Sequence, residues 1–208
     1  MRNIIFLLVF CLGILTSGCN SSLFSQSDPI VKVGAEILLD EHLDDLDNMR
    51  VGLVMNPTAR VEDSHMLDTL LACNVNVTAL FAPEHGFRGD IGAGETIENG
   101  IDQTTGLPVF SLYGETRTPT REMLSEVDLL LFDMQDVGAR FYTYNTTLGN
   151  IIEAAAPAGV SVWVLDRPNP AGGNFISGWM LQQQHKSFVG AYPIPMAHGM
   201  TLGELAKM

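Results

Sequence analysis

Cysteine is almost missing from this sequence, with three in 208 residues. Two of them, Cys11 and Cys19, fall in a segment read below as an export signal, so only Cys73 remains for a folded domain. One thiol cannot form an internal disulfide, and no Cys or His cluster has the spacing of a structural zinc site. Within the run Leu70-Leu71-Ala72-Cys73 the expectation is a buried small hydrophobe. Basic residues are scarce as well: 11 Lys and Arg stand against 24 Asp and Glu, a formal net charge of −13. Removing the signal with Arg2 leaves 10 against 24, or −14. Such a chain has little with which to displace phosphate counterions, which excludes nucleic acid as a partner. An anionic ligand of any kind would need a few local cations. Internal repeats are lacking, and the only biased tract is one short serine-rich stretch.

What is present begins with the N-terminus. Met1-Arg2-Asn3 is a short positive stretch, the apolar run Ile4 to Leu15 is too short to span a bilayer, and Thr16-Ser17-Gly18-Cys19 follows. That order describes a secretory signal. A cysteine directly after small residues reads as a lipobox, with Cys19 diacylated as the new N-terminus. More than one acyl chain gives stable anchoring, at about 0.8 kcal/mol per buried methylene. The expectation is a signal over 1–18, a polar tether over 19–32 and one domain over 33–208, exported and lipid-anchored on a bacterial membrane. A composition of 46% hydrophobic residues is enough to fill the core of one such domain.

After the tether the chain alternates. Strands are expected at Arg50 to Asn56, Val75 to Ala82, Pro108 to Leu112, Leu129 to Phe132 and Val160 to Leu165. Helices are expected at Ser64 to Cys73, at Thr146 to Ala158, and from a Thr118 cap with Pro119 at the first position to about Glu126. Strands without polar alternation, separated by helices, predict an α/β fold with a mostly parallel, Rossmann-like sheet covered on both faces. Thr201-Leu202-Gly203-Glu204 has the spacing of a capping box. The helix it opens has barely begun at Met208, and a helix that short is marginal alone; the expectation is a longer protein.

Polar residues collect where the strands end. The first strand ends in Asn56-Pro57-Thr58, and the second in Pro83-Glu84-His85-Gly86-Phe87-Arg88-Gly89. The fourth runs into Asp133-Met134-Gln135-Asp136-Val137-Gly138-Ala139-Arg140, and the fifth into Asp166-Arg167-Pro168-Asn169-Pro170. In parallel sheets all carboxyl ends share one edge, and ligands bind in the crevice outside it. Taken singly, each Asp or Asn could simply cap the next helix; four clusters at one edge point to a functional crevice. Glu84 has apolar neighbours (Phe81, Ala82, Pro83 and Phe87) whose burial would suit a general acid. The plainer alternative is a surface loop in which Glu84 pairs with Arg88.

Gly89-Asp90-Ile91-Gly92-Ala93-Gly94-Glu95 is not a G-x-G-x-x-G, and no Walker lysine follows, so nucleotide is not expected. A loop carrying Glu95 over the crevice is the better reading. Phe141-Tyr142-Thr143-Tyr144 offers aromatic faces to a sugar, with Phe141 expected in the core. Arg88, Arg140 and Arg167 all fall in these loops and suit recognition of a carboxylate.

Several of these segments together resemble the exo-β-N-acetylmuramidase family: Pro83 to Gly89, Phe132 to Tyr144, Leu165 to Pro170, Tyr192-Pro193-Ile194-Pro195 and His198-Gly199-Met200-Thr201. The resemblance implies a Rossmann-like N-terminal domain, a smaller C-terminal domain absent from this chain, and a site in the cleft between them. It implies release of N-acetylmuramic acid from non-reducing ends of peptidoglycan fragments, without a cofactor. Carried over, Glu84 is the expected catalytic acid and Asp136 the second carboxylate. Asn56, His85, Arg88, Glu95, Gln135, Arg140, Tyr142, Tyr144, Asp166, Arg167, Asn169 and His198 are expected to meet substrate. Carboxylates about 5 Å apart would give retention and about 6.5–9.5 Å inversion, while an N-acetyl sugar can also supply its own nucleophile. Two other readings fit the residues: a non-catalytic peptidoglycan-binding lipoprotein, and a metal-dependent hydrolase using Asp133, Asp136 and a histidine.

Overall fold

The structure is a computed structural model describing residues 31–89 and 98–208; the expected signal and lipobox, most of the tether, and Glu95 lie outside the described residues. In chain order come α1 (Gly34–Glu41), β1 (Val51–Met55), β2 (Arg60–Val61), β3 (Ser64–His65), α2 (Met66–Ala72), β4 (Val77–Ala82), β5 (Gly100–Ile101), β6 (Pro108–Ser111), β7 (Leu129–Asp133), α3 (Tyr144–Ala158), β8 (Ser161–Val164) and α4 (Leu202–Lys207).

Six strands form one sheet in the order β5-β6-β4-β1-β7-β8. Every pairing is parallel except that of the short edge strand β5 with β6. The parallel part therefore has the Rossmann order, in which the chain works outward from β1 in one direction and then in the other. The reversal falls between β1 and β7, and the crevice outside their carboxyl ends is where this architecture binds ligands.

Uninterrupted apolar runs make this sheet because both of its faces are covered. β1 and β7 are buried at every position. Alternate residues of β7 enter opposite cores: Leu129 and Leu131 pack with Leu38 of α1 and Leu67 and Leu70 of α2. Leu130 and Phe132 pack with Leu148 and Ile151 of α3 and Leu202 of α4. The expected helices on both faces are thus present, and the Thr201–Glu204 capping box forms, each side chain taking the other's backbone N–H at 3.2 and 2.9 Å.

Three local expectations fail. Residues 118–126 form turns rather than a helix. Thr118 caps nothing; the Thr120 hydroxyl accepts from Met123 N–H and the Ser125 hydroxyl donates to the Glu122 carbonyl, so side chains take over bonds that a helix would make. Cys73 is exposed rather than buried. It is the C-cap of α2, and the chain leaves through a left-handed Asn74 that carries position 73 away from the face formed by Met66, Leu67 and Leu70. The helix expected from Ser64 starts at Met66, with the His65 ring accepting from Leu67 N–H as its cap. α1, which the residue pattern did not announce, lacks a Ser, Thr, Asp or Asn cap; instead the Glu36 carboxylate accepts from Val33 N–H at 2.8 Å.

Candidate functional site

Strand register decides which side chains meet. Ala82 of β4 is paired with Ser111 of β6, and the ladder runs one step further through Leu112 N–H to the Ala82 carbonyl at 2.8 Å. Glu84 and Tyr113, each two residues beyond that pair, therefore emerge side by side. On the other flank Val54 is paired with Phe81, and Met55 with Asp133. Asn56 thus leaves the sheet between the β4 and β7 loops, next to the switch point.

The Glu84 carboxylate is half-buried. It accepts a hydrogen bond from the Thr143 hydroxyl at 2.9 Å and lies close enough to the Tyr113 phenol for its charge to act on it. Burial, and then the charge of Glu84, push the Tyr113 phenol above its ordinary value, so Glu84 faces a protonated hydroxyl. Thr143 is the N-cap residue of α3, which places Glu84 at that helix's N-terminus. Arg88 is not its partner. The turn after Glu84 needs left-handed backbone at His85 (φ 72°) and Gly86 (φ 80°), closed by Gly86 N–H to the Pro83 carbonyl at 3.0 Å. A non-glycine residue held there is uncommon, and such conformations concentrate at ligand sites.

Around Glu84 stand buried Asn56 and, beside it, Tyr144, whose phenol is raised by burial. Tyr142 lies edge-on to Tyr144 with centroids 6.4 Å apart, and Phe141 follows at 6.5 Å. Phe141 is 51% exposed, against the expectation of a core residue: the chain turns outward before Thr143, and α3 buries its hydrophobic face only from Leu148 onward. Three aromatic rings thus lead from beside Glu84 to solvent.

Asp136 is buried and turned into its own loop. Its Oδ2 accepts from Gly138 N–H at 2.8 Å and lies 3.3 Å from His198 Nε2, but the two make no hydrogen bond; Asp136 Oδ1 and His198 Nε2 are both buried without a partner among the described residues. The buried His198 ring accepts from Met200 N–H through Nδ1. Bridges from Ala139 to Ala197, and from His198 N–H to the Gly138 carbonyl, join the two loops.

Other expected substrate contacts hold loops together. Arg167 forks onto buried Asp133 at 2.5 and 3.0 Å and also donates to the Arg60 carbonyl. Burial pushes the Asp133 carboxyl up and the guanidinium opposes it. The metal reading loses Asp133 to this pair, and among the described residues no three His, Cys, Asp or Glu side chains gather as a metal site would require. Asp166 accepts from Gly203 N–H, Arg167 N–H and the Thr201 hydroxyl, securing the start of α4. Gln135 donates to the Asp136 and Pro168 carbonyls, and Asn169 to the Met200 carbonyl. Arg88 forks onto Asp102 at 2.7 and 2.9 Å. Arg140 donates to the Trp179 and Ile194 carbonyls. The three arginines expected to take a carboxylate are all engaged within the protein. Tyr113 and Thr143, by contrast, were not expected at the site. Tyr113 follows a strand end just as Glu84 does, and the same reading applied to β6 finds it.

With this geometry in hand, comparison with known proteins is decisive. The N-terminal model of the exo-β-N-acetylmuramidase NamZ family matches residues 51–208. The chain belongs to that family. It is 45% identical over 218 residues to the peptidoglycan β-N-acetylmuramidase NamZ of Bacillus subtilis (strain 168), a match covering all of this chain and 52% of the relative. The chain thus spans about half the length of the curated relative it matches. Two crystal structures of DUF1343 family proteins from Bacteroides fragilis NCTC 9343 have the same fold. One has a TM-score of 0.78 at 46% identity, covering 85% of this chain and 44% of that one. The other has 0.73 at 42%, covering 84% and 45%.

Proposed function

We propose that this chain is the acid-bearing half of a β-N-acetylmuramidase that releases N-acetylmuramic acid from the non-reducing ends of peptidoglycan fragments, in cell-wall turnover. The name of the Bacillus subtilis relative supports the reaction class, and the family's description supports exo action. The observation that carries the reading is the Glu84 carboxylate, set beside the switch-point crevice, oriented by the Thr143 hydroxyl and facing the Tyr113 phenol. Glu84 protonates the glycosidic oxygen as the bond to the aglycone breaks. Asp136 is the second carboxylate, its Oδ2 fixed by Gly138 N–H and its buried Oδ1 left without a partner among the described residues. Tyr144, Tyr142 and Phe141 give the sugar chain apolar ring faces, on which the C–H faces of pyranose rings pack.

Export and lipid anchoring at Cys19 are part of this proposal and rest on residues 1–19 alone. The test is release of free N-acetylmuramic acid from a muramyl disaccharide and from a chromogenic N-acetyl-β-muraminide by the complete gene product. Binding of either compound without any release would leave a sugar-binding lipoprotein instead.

A further inference from the structure

A muramic acid residue carries a lactyl carboxylate, and with Arg88, Arg140 and Arg167 engaged elsewhere an acidic chain still needs a cation to hold it. Arg117, on the loop after β6, lies with its guanidinium carbon 4.3 Å from the Phe188 ring centroid and 5.9 Å from that of Tyr113. Those two rings are themselves 6.0 Å apart, and Tyr113 is the residue whose phenol reaches Glu84. The Arg117 carbonyl accepts from the Asn150 side chain at 3.0 Å, which pins this loop to α3. Among the described residues the guanidinium has no carboxylate within ion-pair distance. Contact with the Phe188 ring holds the charge beside Tyr113 without using it in an ion pair, so the guanidinium N–H groups remain available to a carboxylate.

We propose that Arg117, held over Phe188 and beside Tyr113, binds the lactyl carboxylate of the muramic acid residue whose glycosidic bond faces Glu84, and so selects muramic acid over N-acetylglucosamine. This inference rests on the muramidase reading above.

The test compares kcat/KM of the complete gene product on chromogenic N-acetyl-β-muraminide, on its lactyl methyl ester and on N-acetyl-β-glucosaminide. Arg117→Met should lower kcat/KM on the muraminide roughly tenfold to a hundredfold, the size of one charge-assisted contact, mainly through KM. The ester and the glucosaminide, which lack the anion, should be little changed. Arg117→Lys should recover part of the loss, keeping the charge without the fork. Because Arg117 is exposed, the melting temperature should not move. A variant that keeps the wild-type preference for the free acid over its ester overturns the assignment of Arg117 alone. Equal losses on all three substrates overturn it too, and make Arg117 a support of Tyr113. A wild type that cleaves no muraminide overturns the function and this inference with it.

Discussion

The Tyr113 phenol and the Glu84 carboxylate emerge side by side from two neighbouring parallel strands, each two residues past a paired position. The pair is a product of register: a one-residue slip between β4 and β6 would separate the two side chains. Glu84 faces a hydroxyl that stays protonated, because burial and the carboxylate charge both raise the phenol. Tyr113→Phe should therefore keep the ring against Phe188 and leave the melting temperature nearly unchanged. Activity should fall roughly tenfold to a hundredfold, in kcat more than in KM, since the lost hydroxyl faces the reacting group and not the sugar. Unchanged steady-state kinetics would remove Tyr113 from the site.

Arg88 should behave as a structural residue. Its fork onto Asp102 ties the loop after β4 to the turn before β6, and it holds the Asp102 carboxyl well below the usual carboxylate range, with burial opposing. A carboxyl lowered by folding stabilises the folded state above its ordinary value of 3.8 and loses that contribution as the pH falls below it. Arg88→Met should cost about 1 kcal/mol near neutral pH, discounted for an arginine that is a third exposed. That difference from wild type should shrink as the medium is acidified below pH 4, as urea melts of both proteins would register. A deficit that persists at low pH would mean the lost packing, not the ion pair, carried the effect.

The parallel strands were legible in the sequence because a strand buried on both faces has no polar alternation to blur it, and β1 and β7 are such strands. Glu84 and Asn56 were legible for the same reason, since a parallel sheet sends its carboxyl ends to one edge. The partners of the arginines were not legible. A sequence shows that Arg88 and Arg167 fall in loops at that edge, but their carboxylates come from Asp102, 14 residues later, and Asp133, 34 residues earlier. Only the folded topology brings those partners in. Residues 118–126 misled differently: Thr and Pro suggested a helix start, and local hydroxyl bonds won over a stretch with few buried positions.

Tyr192, in one of the family-like segments, has a packing role: its phenol lies directly against α3 at Gly149, where a Cβ would overlap the hydroxyl oxygen. An alanine within a helix normally gains about 0.5–1 kcal/mol over glycine. Overpacking of this kind costs about 1–3 kcal/mol and should win. Gly149→Ala is expected to destabilise the protein, and adding Tyr192→Phe should restore part of the loss by removing the worst overlap. The ring carbon that bore the hydroxyl would still lie 2.7 Å from the new Cβ, so the recovery in the double variant should be partial. Chemical denaturation of the single and double variants measures both. A stabilised Gly149→Ala would mean that Tyr192 leaves α3 in solution.

Lipid attachment is a separate matter from the fold. Cys19→Ala should abolish labelling by a radioactive or clickable palmitate in a bacterial host and leave the precursor unprocessed. Labelling that survives the substitution would move the anchor elsewhere or remove it.

Glu84 carries the chemistry in this account, and Glu84→Gln is the most direct test of it. The amide keeps the size of the carboxyl and can still accept from Thr143, so the fold and the loop after β4 should be unaffected. What it cannot do is give a proton to the glycosidic oxygen. On a muramyl disaccharide, whose leaving group is a sugar alkoxide, the loss in kcat should be on the order of 100- to 10,000-fold, the range that general acid–base catalysis supplies. A nitrophenolate departs without much protonation, so on an aryl muraminide the loss should be clearly smaller. The contrast between the two substrates identifies the role, because a residue that merely positions the sugar would affect both alike. Equal losses would make Glu84 a base, a nucleophile or a binding group and would pass the acid's role to Asp136 or Glu95. If neither substrate reacted more slowly, the chemistry would lie outside the edge where β1, β4, β6 and β7 end.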